Sequence, residues 1–111
     1  MHFTNSLKKN YQFKLVYNKG KSCASKHLVV YILPNGKSFN NLGLSVSKKV
    51  GKSVVRNKVA RFIKESYRLN ESNLKFGYDL VVIARVNSAS ADYHEIEKSL
   101  IYLLKKHNIY V

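Results

Sequence analysis

LGLSVSKKVGKSVVRNKVARFIKESYR, residues 42–68, changes its hydrophobic period half-way along. Leu42, Leu44 and Val46 alternate with Gly43, Ser45 and Ser47, the period of two expected of a strand with one inward face and one small, polar face. From Val55 the apolar positions recur at helical spacing instead. With Ser53 as N-cap and about 100° per residue, Val55, Val59, Phe62, Ile63 and Ser66 fall within an arc of roughly 100°, the face that packs on a sheet. A strand that passes through a short link into an amphipathic helix places α and β elements in one layered core.

The flanking sequence extends this pattern. HLVVYIL (27–33) is apolar and rich in β-branched residues, a strand, and LPNGK (33–37) supplies the turn after it. YDLVVIAR (78–85) is a nearly continuous apolar run, which suits a strand buried on both faces. KSCAS (21–25) reads as a further short strand. Asn10 is placed to cap a first helix through about Asn18, ended by Gly20. Asp92 with Glu95 three residues on forms a capping box, followed by Ile96, Leu100, Leu103 and Leu104 at helical spacing. The expected fold is α+β: a two-layer α/β sandwich in the order α-β-β-(β)-α-β-α, as a single domain over residues 1–111.

Charge is the strongest indication of a partner. Twenty Lys and Arg stand against six Asp and Glu, a net +14 with a pI near 10.0. No acid precedes Glu65, and beyond it basic and acidic residues balance. The whole net charge therefore lies in the front of the chain, where self-repulsion opposes folding unless a polyanion neutralises it. Nucleic acid is the expected partner. A membrane surface is not, because no helix joins a basic face to a large exposed apolar one, and runs such as LVVYIL are too short to span a bilayer. The single cysteine, Cys23, and a start without an apolar leader point to a reducing, cytoplasmic setting.

On the 53–68 helix the cations are ordered. Asn57, Arg61, Lys64 and Arg68 fall within about 60° of one another, away from the apolar face. Arg56 and Lys58 flank that row in the first turn, where the helix dipole favours acids. The bland account is a solvated cationic face. The other account is that a phosphate meets the free backbone N–H groups of the first turn together with Lys52 and Arg56.

Nothing in the chain reads as a protein active site. A metal-dependent nuclease needs clustered carboxylates, and the acids are scattered. His2, His27, His94 and His107 show no ligand spacing, and one cysteine gives no zinc site. VGKSV (50–54) resembles the tail of a P-loop, but the earlier glycine that motif requires falls on Val46. Among the aromatic residues, Phe62 and Tyr102 are assigned to the core. Phe13, Tyr17 and Tyr31 either join the core or line a groove where unpaired bases stack.

LKKNYQFKLVYNKG (7–20), LGLSVSKKVGKSVVRNKVARFIKESYR (42–68) and YDLVVIAR (78–85) together resemble the protein subunit of bacterial ribonuclease P, in order and spacing over nearly the whole chain. The resemblance implies a left-handed β-α-β crossover around the basic helix, an exception to the usual hand. It implies that Arg56, Asn57, Lys58, Arg61, Lys64 and Arg68 contact a catalytic RNA, joined by Lys52 on the dipole argument. It further implies that a cleft bearing Phe13, Tyr17, Tyr31, Ser45, Ser47, Lys48, Lys49 and Arg85 receives the 5′ leader of precursor tRNA. Hydrolysis would belong to the RNA, with divalent magnesium at its centre and no metal held by the protein. Lys58 and Lys64 stand where the family often has arginine, which keeps charge but loses the planar fork. The rivals are a ribosomal or RNA-chaperone protein of similar fold, and a stand-alone nuclease using His and Asp. A DNA-binding helix-turn-helix is disfavoured, because strands precede the basic helix.

Overall fold

The computed structural model describes residues 4–111. Its elements are β1 (Thr4–Ser6), α1 (Asn10–Lys19), β2 (Lys21–Ala24), β3 (Leu28–Pro34), β4 (Asn40–Ser45), α2 (Ser53–Asn70), β5 (Tyr78–Ala84) and α3 (Tyr93–Lys106). The strands form one mixed sheet in the order β1-β4-β5-β3-β2. β4 runs parallel to both β1 and β5, while β3 is antiparallel to β5 and to β2. The expected α+β order is present, and α2 is the crossover between the parallel neighbours β4 and β5.

The main core lies between the sheet and the pair α2/α3. Leu28, Val30, Ile32, Leu80, Val82 and Ala84 face Val59, Ile63 and Tyr67 of α2 and Ile96, Leu100, Leu103 and Leu104 of α3. The alternate residues of the same strands face the other way. There α1 lays Val16 and Phe13 on Val81, Tyr31, Leu33 and Ile83. Leu80, Val81 and Val82 are all fully buried, as the continuous apolar run requires. To the two-layer core α1 thus adds a short layer on the second face.

Several local expectations are corrected. The helix around residues 10–19 is preceded by Lys9 rather than capped by Asn10, and the Gln12 side chain accepts from the backbone N–H groups of Lys8 (3.1 Å) and Lys9 (3.0 Å). Gly20 does follow α1, but with φ −80° and not in a left-handed cap. Its reason is space: a Cβ there would stand 2.5 Å from the Val16 carbonyl oxygen and 2.7 Å from that of Ile32. β4 begins at Asn40 and ends at Ser45, earlier than the 42–49 pattern suggested, because Lys48–Val50 forms a 3-10 turn that buries Val50. Lys52, not Ser53, holds the cap position of α2 and makes no side-chain cap hydrogen bond. Tyr102, assigned to the core, is 50% exposed, with the Lys106 ammonium 5.7 Å from its ring centre. β1 was expected in no element: Thr-Asn-Ser has no apolar alternation, and it is a strand because the edge of β4 accepts it, helped by a 2.8 Å hydrogen bond between the Thr4 and Tyr67 hydroxyls. By contrast, Asp92 and Glu95 form the expected capping box, with Glu95 N–H donating to Asp92 Oδ1 at 2.8 Å and Asp92 N–H to Glu95 Oε1 at 3.1 Å.

Candidate nucleic-acid interface

α2 presents its polar row as a concave strip. Asn57, Ala60, Arg61, Lys64, Glu65 and Arg68 line a depression of about 340 Å³ on the outer face of the helix. Its apolar side is held to the core by Val59, Ile63 and Tyr67, so the orientation of the strip is fixed by packing. Arg61 and Lys64 are exposed and make no ion pair among the described residues, although the Arg61 guanidinium lies 5.8 Å from the Phe62 ring centre. Arg68 differs, because it forks onto Glu65: Nε donates to Oε2 at 3.1 Å and Nη2 to Oε1. That hydrogen bond holds the Glu65 carboxyl below the usual carboxylate range. The charge of Arg68 is therefore met within the free chain, while Arg61 and Lys64 meet no carboxylate among the described residues.

The start of α2 has no acid in its first turn. Gly51 takes φ 154°, with Val55 Cβ 3.2 Å from where a side chain would begin, and the Arg56 Nε donates to the Gly51 carbonyl at 3.1 Å. Arg56 is thereby folded back over the loop that enters the helix. Lys52 is exposed at the cap and Lys58 is half-buried on the flank.

A second depression, of about 390 Å³, lies beside the first, between β1, the emerging end of β4 and α2. Its lining includes Leu44, Val46 and Ser6, with Arg56, Asn57, Ala60 and Lys64 from the helix. Asn57, Ala60 and Lys64 border both depressions. Leu44 and Val46 face inward as expected and pack against the main core, but they are only partly buried, because β1 and α2 leave a gap at the sheet edge.

On the opposite face of the sheet, Phe13, Tyr17, Tyr31 and Ser45 form one chain of contacts. The Phe13 and Tyr17 rings lie 6.3 Å apart, and Tyr17 meets Tyr31 edge-on at 5.1 Å. Phe13 sits directly on Gly43, where a Cβ would be 2.7 Å from the ring. Burial raises the Tyr17 hydroxyl above its usual range, offset in part by a hydrogen bond with Ser45. Ser45 and its register partner Ile83 are half-buried beside these rings. Ser47, Lys48 and Lys49 are exposed on the link between this face and α2. Arg85, just beyond β5, is exposed and donates from Nη1 to the Ser25 carbonyl at 2.9 Å.

Two of the histidines have structural partners. His27 Nδ1 is 3.0 Å from the Ser99 hydroxyl and His107 Nε2 is 2.7 Å from the Val30 carbonyl, while His2 lies outside the described residues. Among the described residues no three His, Cys, Asp or Glu side chains converge as a metal site would require, and no helix is long and apolar enough to cross a membrane.

The chain is similar to known proteins over nearly its whole length. A family profile described as Ribonuclease P matches residues 1–108. The ribonuclease P protein component of Clostridium botulinum is 59% identical over 107 residues, spanning 96% of this chain and 96% of that one. Among solved structures, the Staphylococcus aureus RNase P protein superposes with a TM-score of 0.88 at 36% identity, covering 96% of this chain and 97% of that one. The Thermotoga maritima RNase P protein gives 0.84 at 32% identity, covering 92% and 96%.

Proposed function

We propose, from the premise that this chain belongs to the ribonuclease P protein family, that its two sides divide the work of presenting a precursor tRNA to a catalytic RNA. The chain is the protein subunit of a ribonucleoprotein endoribonuclease, and ribonuclease P RNA is its partner. The rival reading, a ribosomal or RNA-chaperone protein, is not favoured by that membership. On the proposed reading, Lys52, Arg56, Asn57, Lys58, Arg61 and Lys64 lie against the sugar–phosphate backbone of the catalytic RNA. Arg68 joins them once Glu65 gives it up. Each neutralised phosphate releases counterions, which drives association and makes it steeply salt-dependent.

The opposite sheet face takes the 5′ leader as an extended single strand. Phe13, Tyr17 and Tyr31 offer ring surfaces for stacking, Ser45 and Ser47 offer hydroxyls, and Lys48, Lys49 and Arg85 offer charge to the phosphates. Magnesium and bond cleavage are assigned to the RNA, and the protein acts by positioning and screening, in the cytoplasm. The observation that carries this reading is the strip on α2, in which Arg61 and Lys64 flank one depression and the first turn holds cations where the helix dipole favours acids.

Reconstitution tests it. At low magnesium, cleavage of precursor tRNA should require this chain together with a ribonuclease P RNA. Cleavage by the RNA-free protein, or no gain for the RNA when it is added, would overturn the assignment. Arg56→Ala with Arg61→Ala should lower RNA affinity on the order of tenfold or more and reduce the salt slope by about 1–2, while the melting temperature stays within a few degrees. Loss of folding would return the strip to a purely structural role.

A further inference from the structure

We propose that the groove between β1, β4 and α2 receives one unstacked nucleobase of the RNA strand whose phosphates lie on α2. The proposal rests on the reading of α2 as an RNA-binding face and adds to it an occupant for the neighbouring depression. Its lining combines the apolar side chains of Leu44 and Val46 with the polar and cationic side chains of Ser6, Arg56, Asn57 and Lys64, and the polar part is the larger. At about 390 Å³ the groove falls within the size range of small-molecule sites. A mostly polar, cationic groove with an apolar patch matches a flat ring with polar edges attached to a phosphate, and it matches neither a lipid tail nor an apolar peptide. A second copy of this chain would bring another +14 to the same surface.

Continuity with the outer strip gives the geometry. Asn57, Ala60 and Lys64 border both depressions, so a strand with its phosphates against Arg61 and Lys64 has the groove within reach of its next base. Asn57 is exposed and carries both a donor and an acceptor, the pairing a base edge needs. Ala60 stands between the two depressions with only a methyl group, which leaves the passage open. A larger apolar side chain there would close the groove without changing any charge.

The test separates base binding from phosphate binding. The probes are ribonuclease P RNA and two single-stranded oligoribonucleotides of about 12 residues, one normal and one with abasic positions, equal in charge. The wild-type protein should bind the base-bearing oligonucleotide about tenfold more tightly. Ala60→Leu should abolish that preference and weaken binding of ribonuclease P RNA, with the salt slope and melting temperature unchanged. Should Ala60→Leu prove unstable, Asn57→Ala serves instead, since Asn57 is exposed and uncharged, and it should reduce the same preference severalfold. Equal binding of the two oligonucleotides by the wild type would overturn the proposal. So would a preference that survives in Ala60→Leu and Asn57→Ala, because the grip would then belong to the rings of Phe13, Tyr17 and Tyr31. Arg61→Ala is the control: if it fails to flatten the salt slope, the reading of α2 is at fault, whatever Ala60→Leu does.

Discussion

Tyr67 is fully buried between α2 and the sheet, with its hydroxyl 2.8 Å from that of Thr4 on the edge strand β1. Burial raises its ionisation above the usual value of 10.0, hydrogen bonds with Thr4 and Asn40 pull the other way, and the nearby Glu71 raises it again. In the unfolded chain the same phenol titrates near its ordinary value, so above that pH the folded state holds a proton that the unfolded state has lost. Stability from this group is therefore complete below about pH 10 and is lost as pH rises toward the folded-state value. Tyr17 and Tyr93 are also shifted up by burial, and lysine deprotonation relieves repulsion over the same range, so the quantity to read is a difference between two proteins. Tyr67→Phe should be about 1 kcal/mol less stable at neutral pH, because the Thr4 hydroxyl is left buried without its partner. In urea titrations between pH 8 and about 11 that deficit should shrink as pH rises. A deficit that stays constant would mean that Tyr67 does not titrate differently on folding. None of this was visible beforehand: Tyr67 falls one position outside the apolar arc, and its partner Thr4 belongs to a segment with no strand pattern.

α2 and α3 start in opposite ways, and the contrast separates function from stability. α3 begins with the Asp92–Glu95 box and ends with Lys105 and Lys106, both favourable to the helix dipole. α2 begins at Lys52, with no side-chain cap and no acid in the first turn. Lys52→Asp would supply the side-chain cap and a negative charge beside the first turn, and it should raise stability by about 0.5–1.5 kcal/mol, seen as a higher melting temperature. The same change should weaken ribonuclease P RNA binding severalfold, because an anion would replace a cation where a phosphate is proposed to sit. A more stable protein with undiminished affinity would remove the helix start from the RNA-binding face. The same contrast explains what could be read from sequence. Alternation, the capping box and the continuous apolar run of β5 are local signals, and they gave the elements in order. The basic row on α2 was legible because it breaks a local rule. β1 was not, since its strand state is imposed by the β4 edge. Nor was the groove, whose lining comes from three separate segments, with Leu44 and Val46 indistinguishable from core residues. The placement of α1 on the second face was implicit in Gly43, whose missing side chain makes room for Phe13, but a single glycine does not announce its neighbour.

The molecule closes this unbalanced charge into a small volume. Its radius of gyration is 12.8 Å, about what a chain of this length reaches without such a load. The front portion supplies α1, four of the five strands and the first two-thirds of α2, so its cations stand on both faces of the sheet. Among the described residues they border the strip on α2, the groove beside it, a depression at the β2 edge that includes Lys19 and Lys21, and another that includes Lys26. The acids of the back portion offer little relief to the front lysines and arginines, because their partners lie elsewhere: Glu65 meets Arg68, Glu97 meets Asn70 and Tyr93, and Asp79 accepts from Asn35 and Asn41. The folded state should then be limited by repulsion at low ionic strength, where charges about 10 Å apart still interact, and should gain when that range is screened. Raising monovalent salt from about 10 to about 200 mM is expected to add on the order of 1 kcal/mol, or about 5 °C in melting temperature. Sulfate or phosphate at equal ionic strength should add more than chloride, because a multivalent anion is drawn to clustered cations. Ribonuclease P RNA should give the largest increase, with an RNA-bound protein that no longer responds to added salt up to the point of dissociation. Calorimetry across these conditions checks the account. A melting temperature indifferent to salt would show that the cations are spaced widely enough not to oppose folding, and neutralisation would no longer contribute to assembly with RNA.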